Sequence, residues 1–243
     1  MIKPDVKQAR EILPHRLFDD SPDAWNIIAP NLRHKSYHKD EVVIHHGDSA
    51  GNLWLVYRGW VKLTRLTPDG KETIISLCSE DDMFGEAALF MRANYPYNAQ
   101  IISSDADLAM IPAEVIRRLI AKDASLSAHI MSMFSRRTAQ AQLKLEHMST
   151  MSAAQRLGCF LLRLCQNQAE GAKTLQIPVD KNILASYLGM KPETLSRSQQ
   201  QLKVLGVVLK GHTIIIDNIS RLRDFVCNSC SESGLCEADA SVY

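Results

Sequence analysis

The sequence predicts an α+β fold in three parts: an antiparallel sandwich or barrel of short strands, one long helix, and a small basic domain of helix, tight turn, helix and hairpin. Three observations predict it. Between Glu41 and Pro112, short β-rich runs alternate with turn signals. From Ala113 to Met151 the apolar spacing becomes helical. From Met151 to Val226 there are ten Lys/Arg against five Asp/Glu, so this stretch carries +5 in a chain whose total is +1. A basic C-terminal third on an acidic remainder points to nucleic acid.

Residues 1–35 show helical patterning broken by Pro14 and Pro30. Strands are expected at Val42–Ile44, Leu53–Tyr57, Trp60–Leu66, Thr73–Leu77, Ala99–Ile102 and Leu108–Ile111. Pro68–Asp69–Gly70 separates two of them as a turn, Pro presetting one dihedral and Gly supplying positive φ. In the helical stretch, Leu126, Ile130, Met133, Phe134, Ala141, Leu145 and Met148 lie near one stripe, which suits pairing with a second copy of the chain. Ser152 is placed to cap the next helix, and "NQAEGAK" reads as a loop.

Residues 178–217, "PVDKNILASYLGMKPETLSRSQQQLKVLGVVLKGHTIIID", form a winged helix-turn-helix pattern. Asp180 caps a short helix with Ile183, Leu184 and Leu188 inward, and Gly189 supplies the turn. Pro192 opens the second helix. Leu195, Leu202 and Leu205 then face in, while Glu193, Ser196, Arg197 and Gln200 fall on the opposite face. Gly206 ends the helix, and Val207–Leu209 and Thr213–Ile216 make a two-stranded wing. A second helix of this kind enters the major groove of double-stranded DNA. Arg197 can donate twice to guanine, Glu193 can accept from cytosine, and Ser196 can meet a base or a thymine methyl. Lys191 and Thr194 suit phosphates.

These residues resemble the Crp–Fnr superfamily of bacterial transcription regulators, over nearly the full chain. "PETLSR" is similar to the E-x-x-S-R reading motif of the Fnr branch, which implies TTGAT-type palindromes and places Glu193, Ser196 and Arg197 at base edges. The resemblance implies an N-terminal cyclic-nucleotide-binding-like β-roll sensor (1–120, with its N-terminal helices), a dimerisation helix (121–150), a winged helix-turn-helix (151–226) and a cysteine-containing tail (227–243). It also implies RNA polymerase as a partner. "FGEAALF" resembles the hairpin that holds a cyclic nucleotide in the Crp branch, making Gly85 and Glu86 the effector-pocket candidates. The arginine that grips the cyclic phosphate in that branch is absent: the matching stretch, "NYPYNAQ", has Tyr97 and Asn98 before Ala99. A buried phosphate without a cationic partner is costly, so no cyclic nucleotide is expected.

The chain has no cysteine before Cys78, so the N-terminal cluster cysteines of the Fnr branch proper are missing. Cys227, Cys230 and Cys236 instead resemble Fnr-type regulators with three cysteines after the DNA-binding domain and a carboxylate from elsewhere. The resemblance implies an iron–sulfur cluster, with zinc or a thiol redox switch as alternatives. No aspartate occurs between Asp123 and Asp180, and the fourth ligand stays open among Glu146, His147 and Cys165. Haem is a further alternative, with His15, His34, His38, His45 and His46 as axial candidates.

No signal peptide or membrane-spanning run is visible, and the scattered cysteines do not form a secreted disulfide framework, so a cytoplasmic chain with reduced thiols is expected. No nucleophile–base constellation or phosphate-cradling loop suggests an enzyme. The function expected is a homodimeric DNA-binding regulator responding to oxygen, nitric oxide or redox state. The competing expectation is a nucleotide-binding regulatory module acting through a protein partner.

Overall fold

The structure is a computed structural model that describes residues 22–86, 90, 94–165 and 173–227. These fall into two compact units dividing between Arg136 and Arg137.

The first unit opens with α1 (Pro22–Ile28) and a 3₁₀ turn (Ala29–Asn31). Eight strands follow: β1 (Arg33–His38), β2 (Val42–Ile44), β3 (Asn52–Arg58), β4 (Val61–Leu66), β5 (Glu72–Cys78), β6 (Met83–Phe84), β7 (Asn98–Ile101) and β8 (Asp105–Pro112). They pair antiparallel into two four-stranded sheets, β1-β8-β3-β6 and β2-β7-β4-β5. Leu55, Leu108 and Ile111 of one sheet and Ile44, Val61, Leu63 and Ile101 of the other belong to one buried cluster, closed by Trp25, Ile28 and Leu32. The β4–β5 turn forms as its residues dictate: Gly70 takes φ +80, its N–H bonds the Thr67 carbonyl at 2.8 Å, and Thr67 N–H bonds Lys71 O at 2.9 Å.

Two expectations for this unit are corrected. The helical patterning assigned to residues 1–35 stops at Asn31 within the described part, and Arg33–His38 is instead a strand in register with β8 from Arg33↔Met110 to His38↔Asp105. Pro14 lies outside the described residues. The helical stretch from Ala113 is also two helices, α2 (Ala113–Ile120) and α3 (Ala124–Thr150). Asp123 makes the break, its Oδ1 accepting the Leu126 N–H at 3.0 Å as an N-cap, while Ser127 Oγ donates back to Ile120 O at 2.7 Å. Leu126 and Ile130 are buried in the β-domain core, with Phe134 against it, so the first turns of the supposed pairing stripe are core instead. Met131, Leu145 and Met148 remain exposed on α3.

The second unit contains the rest of α3, then α4 (Ala153–Cys165), β9 (Lys173–Gln176), α5 (Lys181–Tyr187), α6 (Pro192–Lys203), β10 (Val207–Lys210), β11 (Thr213–Ile216) and α7 (Ile219–Cys227). Ser152 caps α4 reciprocally: its Oγ accepts the Gln155 N–H at 3.3 Å and Gln155 Oε1 accepts the Ser152 N–H at 2.9 Å. α4 and α7 approach closely at Gly158, where an added Cβ would lie 2.6 Å from Val226 Cγ2. The wing, expected as two strands, has three in the order β10-β11-β9, because Lys173–Gln176 pairs with β11. That segment overlaps the loop expected from "NQAEGAK", of which residues 167–172 lie outside the described residues.

Candidate nucleic-acid interface

The turn between α5 and α6 is set by three local features. Gly189 adopts φ +65, and its N–H and that of Met190 bond Ser186 O at 3.1 Å and Ala185 O at 3.0 Å, closing α5. Lys191 is extended, and Pro192 begins α6, where its missing N–H costs no helical bond. Asp180 holds the extended N-cap conformation before α5, but its side chain makes no capping hydrogen bond, so the capping expected of it is by backbone alone.

α6 buries Leu195 and Leu202 completely, and Leu205 follows half-buried. Ser198 is buried too, its hydroxyl satisfied by Thr194 O at 2.9 Å. With that face fixed inward, Glu193, Ser196, Arg197 and Gln200 are all exposed on the other, beside exposed Lys191 and half-buried Thr194. The helix thus offers a carboxylate, a hydroxyl, a guanidinium and an amide in one stripe, which between them supply partners for the hydrogen-bond donors and acceptors of base edges in the major groove. Gly206 at φ +83 turns the chain into β10, and Gly211 at φ +58 makes the wing tip.

The last turns of α3 meet α4, α5 and the turn that follows α5. Lys144 Nζ lies 4.0 Å from the centre of the Tyr187 ring, and burial together with Arg163 pushes its ammonium down to about 8. His147 Nδ1 lies 3.9 Å from Cys159 Sγ, and burial holds the imidazole below its ordinary value. Arg156 of α4 donates from Nε to Leu188 O at 3.2 Å and from Nη1 to Met151 O at 2.9 Å. No short motif marks Arg156 in the sequence, since its partners are backbone carbonyls and Leu188 is remote along the chain.

In the β domain, the effector-pocket candidates sit on a tyrosine lattice. Gly85 takes φ +91, a Cβ there would lie 2.7 Å from Asn52 O, and its N–H donates to the Tyr97 hydroxyl at 2.7 Å. Tyr95 Oη accepts the Asn52 N–H at 3.0 Å and donates to Asn52 O at 2.7 Å. Burial, with the nearby Glu86 carboxylate, raises the Tyr97 phenol well above its ordinary range, so it stays neutral. The aromatics of "NYPYNAQ" were the sequence signal for this lattice.

Of the tail cysteines, Cys227 is the last residue of α7 and half-buried, while Cys230 and Cys236 lie outside the described residues. Among the described residues no group of three His, Cys, Asp or Glu side chains is placed to hold a metal ion. Cys165 is buried, which raises its thiol pKa. Of the haem candidates, His38 Nδ1 meets Asp105 at 3.0 Å, His34 Nε2 is 4.0 Å from Asp107, His45 and His46 are exposed, and His15 lies outside the described residues.

Comparison with known proteins matches this architecture. The cyclic nucleotide-binding domain family matches residues 34–123, and the Crp-like helix-turn-helix domain family matches residues 155–225. The chain is 29% identical over 194 residues to the anaerobic regulatory protein of Aggregatibacter actinomycetemcomitans, covering 78% of this chain and 75% of that one. A Ruegeria pomeroyi protein, provisionally described as cyclic nucleotide binding, superposes with TM-score 0.70 at 30% identity over 90% of this chain and 97% of its own. FixK2 from Bradyrhizobium japonicum shares the fold, with TM-score 0.69 at 23% identity over 84% of this chain and 99% of its own. Among the described residues no helix is long and apolar enough to cross a membrane. With a β-roll of the cyclic-nucleotide-binding kind followed by a Crp-like helix-turn-helix, the chain belongs to the Crp–Fnr superfamily of DNA-binding transcription regulators.

Proposed function

We propose that this regulator binds TTGAT-like palindromes as a homodimer and responds to oxygen, nitric oxide or redox state. The observation that carries the DNA reading is the joint exposure of Glu193, Ser196, Arg197 and Gln200 on α6, whose other face is locked by Leu195, Ser198 and Leu202. Glu193, Ser196 and Arg197 read base edges, Gln200 extends the same stripe, and Lys191 and Thr194 contact phosphate. Binding assays with Arg197→Ala test it: affinity for the palindrome falls by about 1–3 kcal/mol and guanine preference relaxes. Equal loss on random duplex overturns the base-reading role.

Cys227, Cys230 and Cys236 are the residues that would hold an iron–sulfur cluster as the input for the signal. Support comes from the donor set, three thiols within ten residues, and from Cys227 standing as the last residue of α7. The cluster would supply oxygen- or nitric-oxide-sensitive chemistry. Iron, sulfide and zinc analysis of protein purified without oxygen separates this from zinc on the same thiols and from haem. Iron and sulfide that persist unchanged in Cys227→Ala overturn the assignment. RNA polymerase is the protein partner this reading requires.

A further inference from the structure

Arg156 stands where two helix C-termini converge. Met151, whose carbonyl receives Nη1, directly follows α3, and its own N–H bonds His147 O at 3.1 Å. Leu188, whose carbonyl receives Nε, is the C-cap of α5, one residue before the Gly189 turn. The last carbonyls of a helix have no partner within it and carry its partial negative charge, so a cation there is favoured electrostatically as well as by hydrogen bonding. Here a single planar guanidinium serves two such ends with separate nitrogens, a geometry that a lysine ammonium on its flexible stem does not reproduce.

Three further contacts run beside this bridge. Lys144 stacks on Tyr187, His147 meets Cys159, and a Cβ at Gly189 would lie 3.2 Å from Met148 Cε. The end of the long helix is therefore apposed to the first helix and turn of the DNA-reading motif. Arg156 hydrogen-bonds both the end of α3 and the C-cap residue directly before the turn. It is half-buried, on the flank of α4, and is not among the residues of the exposed reading stripe.

We propose that Arg156 is a positioning residue for DNA recognition: by bridging the C-termini of α3 and α5 it fixes the angle at which α6 is presented relative to the dimerisation helix, and so sets the half-site spacing the dimer accepts. This rests on the palindrome-reading dimer proposed above. Two half-sites are engaged together only if both reading helices are held at one separation and rotation. Adding a base pair between them shifts one by about 35° around the duplex. A rigid link between α3 and the turn rejects such a shift, and a slack link tolerates it.

The test is a spacing series. Duplexes carrying the TTGAT palindrome, with the centre shortened or lengthened by one or two base pairs, and a single half-site duplex are titrated with the full-length protein. Wild type should prefer one spacing by about tenfold or more, the discrimination of roughly one or two mismatched pairs. Arg156→Gln should lose most of that preference, binding the best site about tenfold more weakly while misspaced sites and the half-site change little, with an unchanged melting temperature and dimer mass. Arg156→Lys, which keeps the charge but not the planar fork, should fall between. An unaltered spacing profile in both variants overturns the proposal, and so does an equal loss on every duplex, which would mark a phosphate contact. Should Arg156→Gln fail to fold, the Arg156→Lys profile decides. A wild-type protein with no preference for any palindrome would instead sink the reading of the site itself.

Discussion

The Tyr97 hydroxyl accepts the Gly85 backbone N–H at 2.7 Å, so a neutral phenol already engages the backbone of a residue in the segment whose sequence resembles a cyclic-nucleotide cradle. The adjacent charge is the Glu86 carboxylate, which repels a phosphate. The protein should therefore show no rise in melting temperature with millimolar cyclic AMP or cyclic GMP, since a ligand that binds the native state must stabilise it. A saturable upward shift would refute this reading of the lattice.

Ile130 and Leu145 lie on one helix with opposite fates. Ile130 is 3% exposed within the β-domain core, whereas Leu145 is 69% exposed. Ile130→Glu should destabilise the β domain by more than about 3 kcal/mol, by burying an unpaired charge. Met131, Thr138 and Leu145 recur every seven residues, and Ala141 and Met148 follow the last two at three residues, the spacing of a coiled-coil seam. Leu145→Glu combined with Met148→Glu should give monomers by light scattering while both units keep their folded circular dichroism. A dimer that survives this pair of charges places the interface elsewhere.

Gly158 is needed for closeness, because a methyl there would lie 2.6 Å from Val226 Cγ2 and 3.1 Å from Leu222 Cδ1. Gly158→Ala should cost about 1–3 kcal/mol despite its better helix propensity. Denaturant titration of Gly158→Ala, Val226→Ala and the double variant checks the cause: the two costs should not add, since the smaller residue at 226 relieves the overlap.

Lys144 gives a pH signature. The Tyr187 ring favours its charged form, but burial and Arg163 outweigh this and bring its pKa to about 8 from 10.5. Between those values the unfolded chain holds a proton that the folded chain has released, so stability attributable to Lys144 rises as pH rises through this window. Chemical denaturation at successive pH values should show wild type gaining relative to Lys144→Met above pH 8. Parallel curves would mean that the ammonium is solvated in the native state.

The strands written in β-branched residues could be read from sequence to within a few residues, because Val, Ile and Thr runs bounded by Gly, Pro and Asp carry their own punctuation. β1 could not: it is an edge strand, "RHKSYH", in which only Tyr37 is buried, and its identity comes from its partner β8. α7 was within reach, with Asn218 capping it through Oδ1 and Leu222 and Val226 one turn apart, but it was not anticipated. The exposed polar stripe of α6 was legible because helical phase alone separates Glu193 and Arg197 from Leu195 and Leu202. Arg156 was not, because its partners at 151 and 188 are backbone groups brought together only by folding.

β9 also changes what can be moved as a piece. The wing strand β11 is hydrogen-bonded on both sides, to β10 after α6 and to β9 before α5. A fragment cut at Pro178 to carry only the helices and hairpin would leave the Ile214 and Ile216 strand with a raw edge and an uncovered apolar side, a surface prone to self-adhesion. A transplantable DNA-binding cassette must therefore start upstream of Lys173 and run through α7, even though every side chain proposed to read a base lies within eight residues of Glu193.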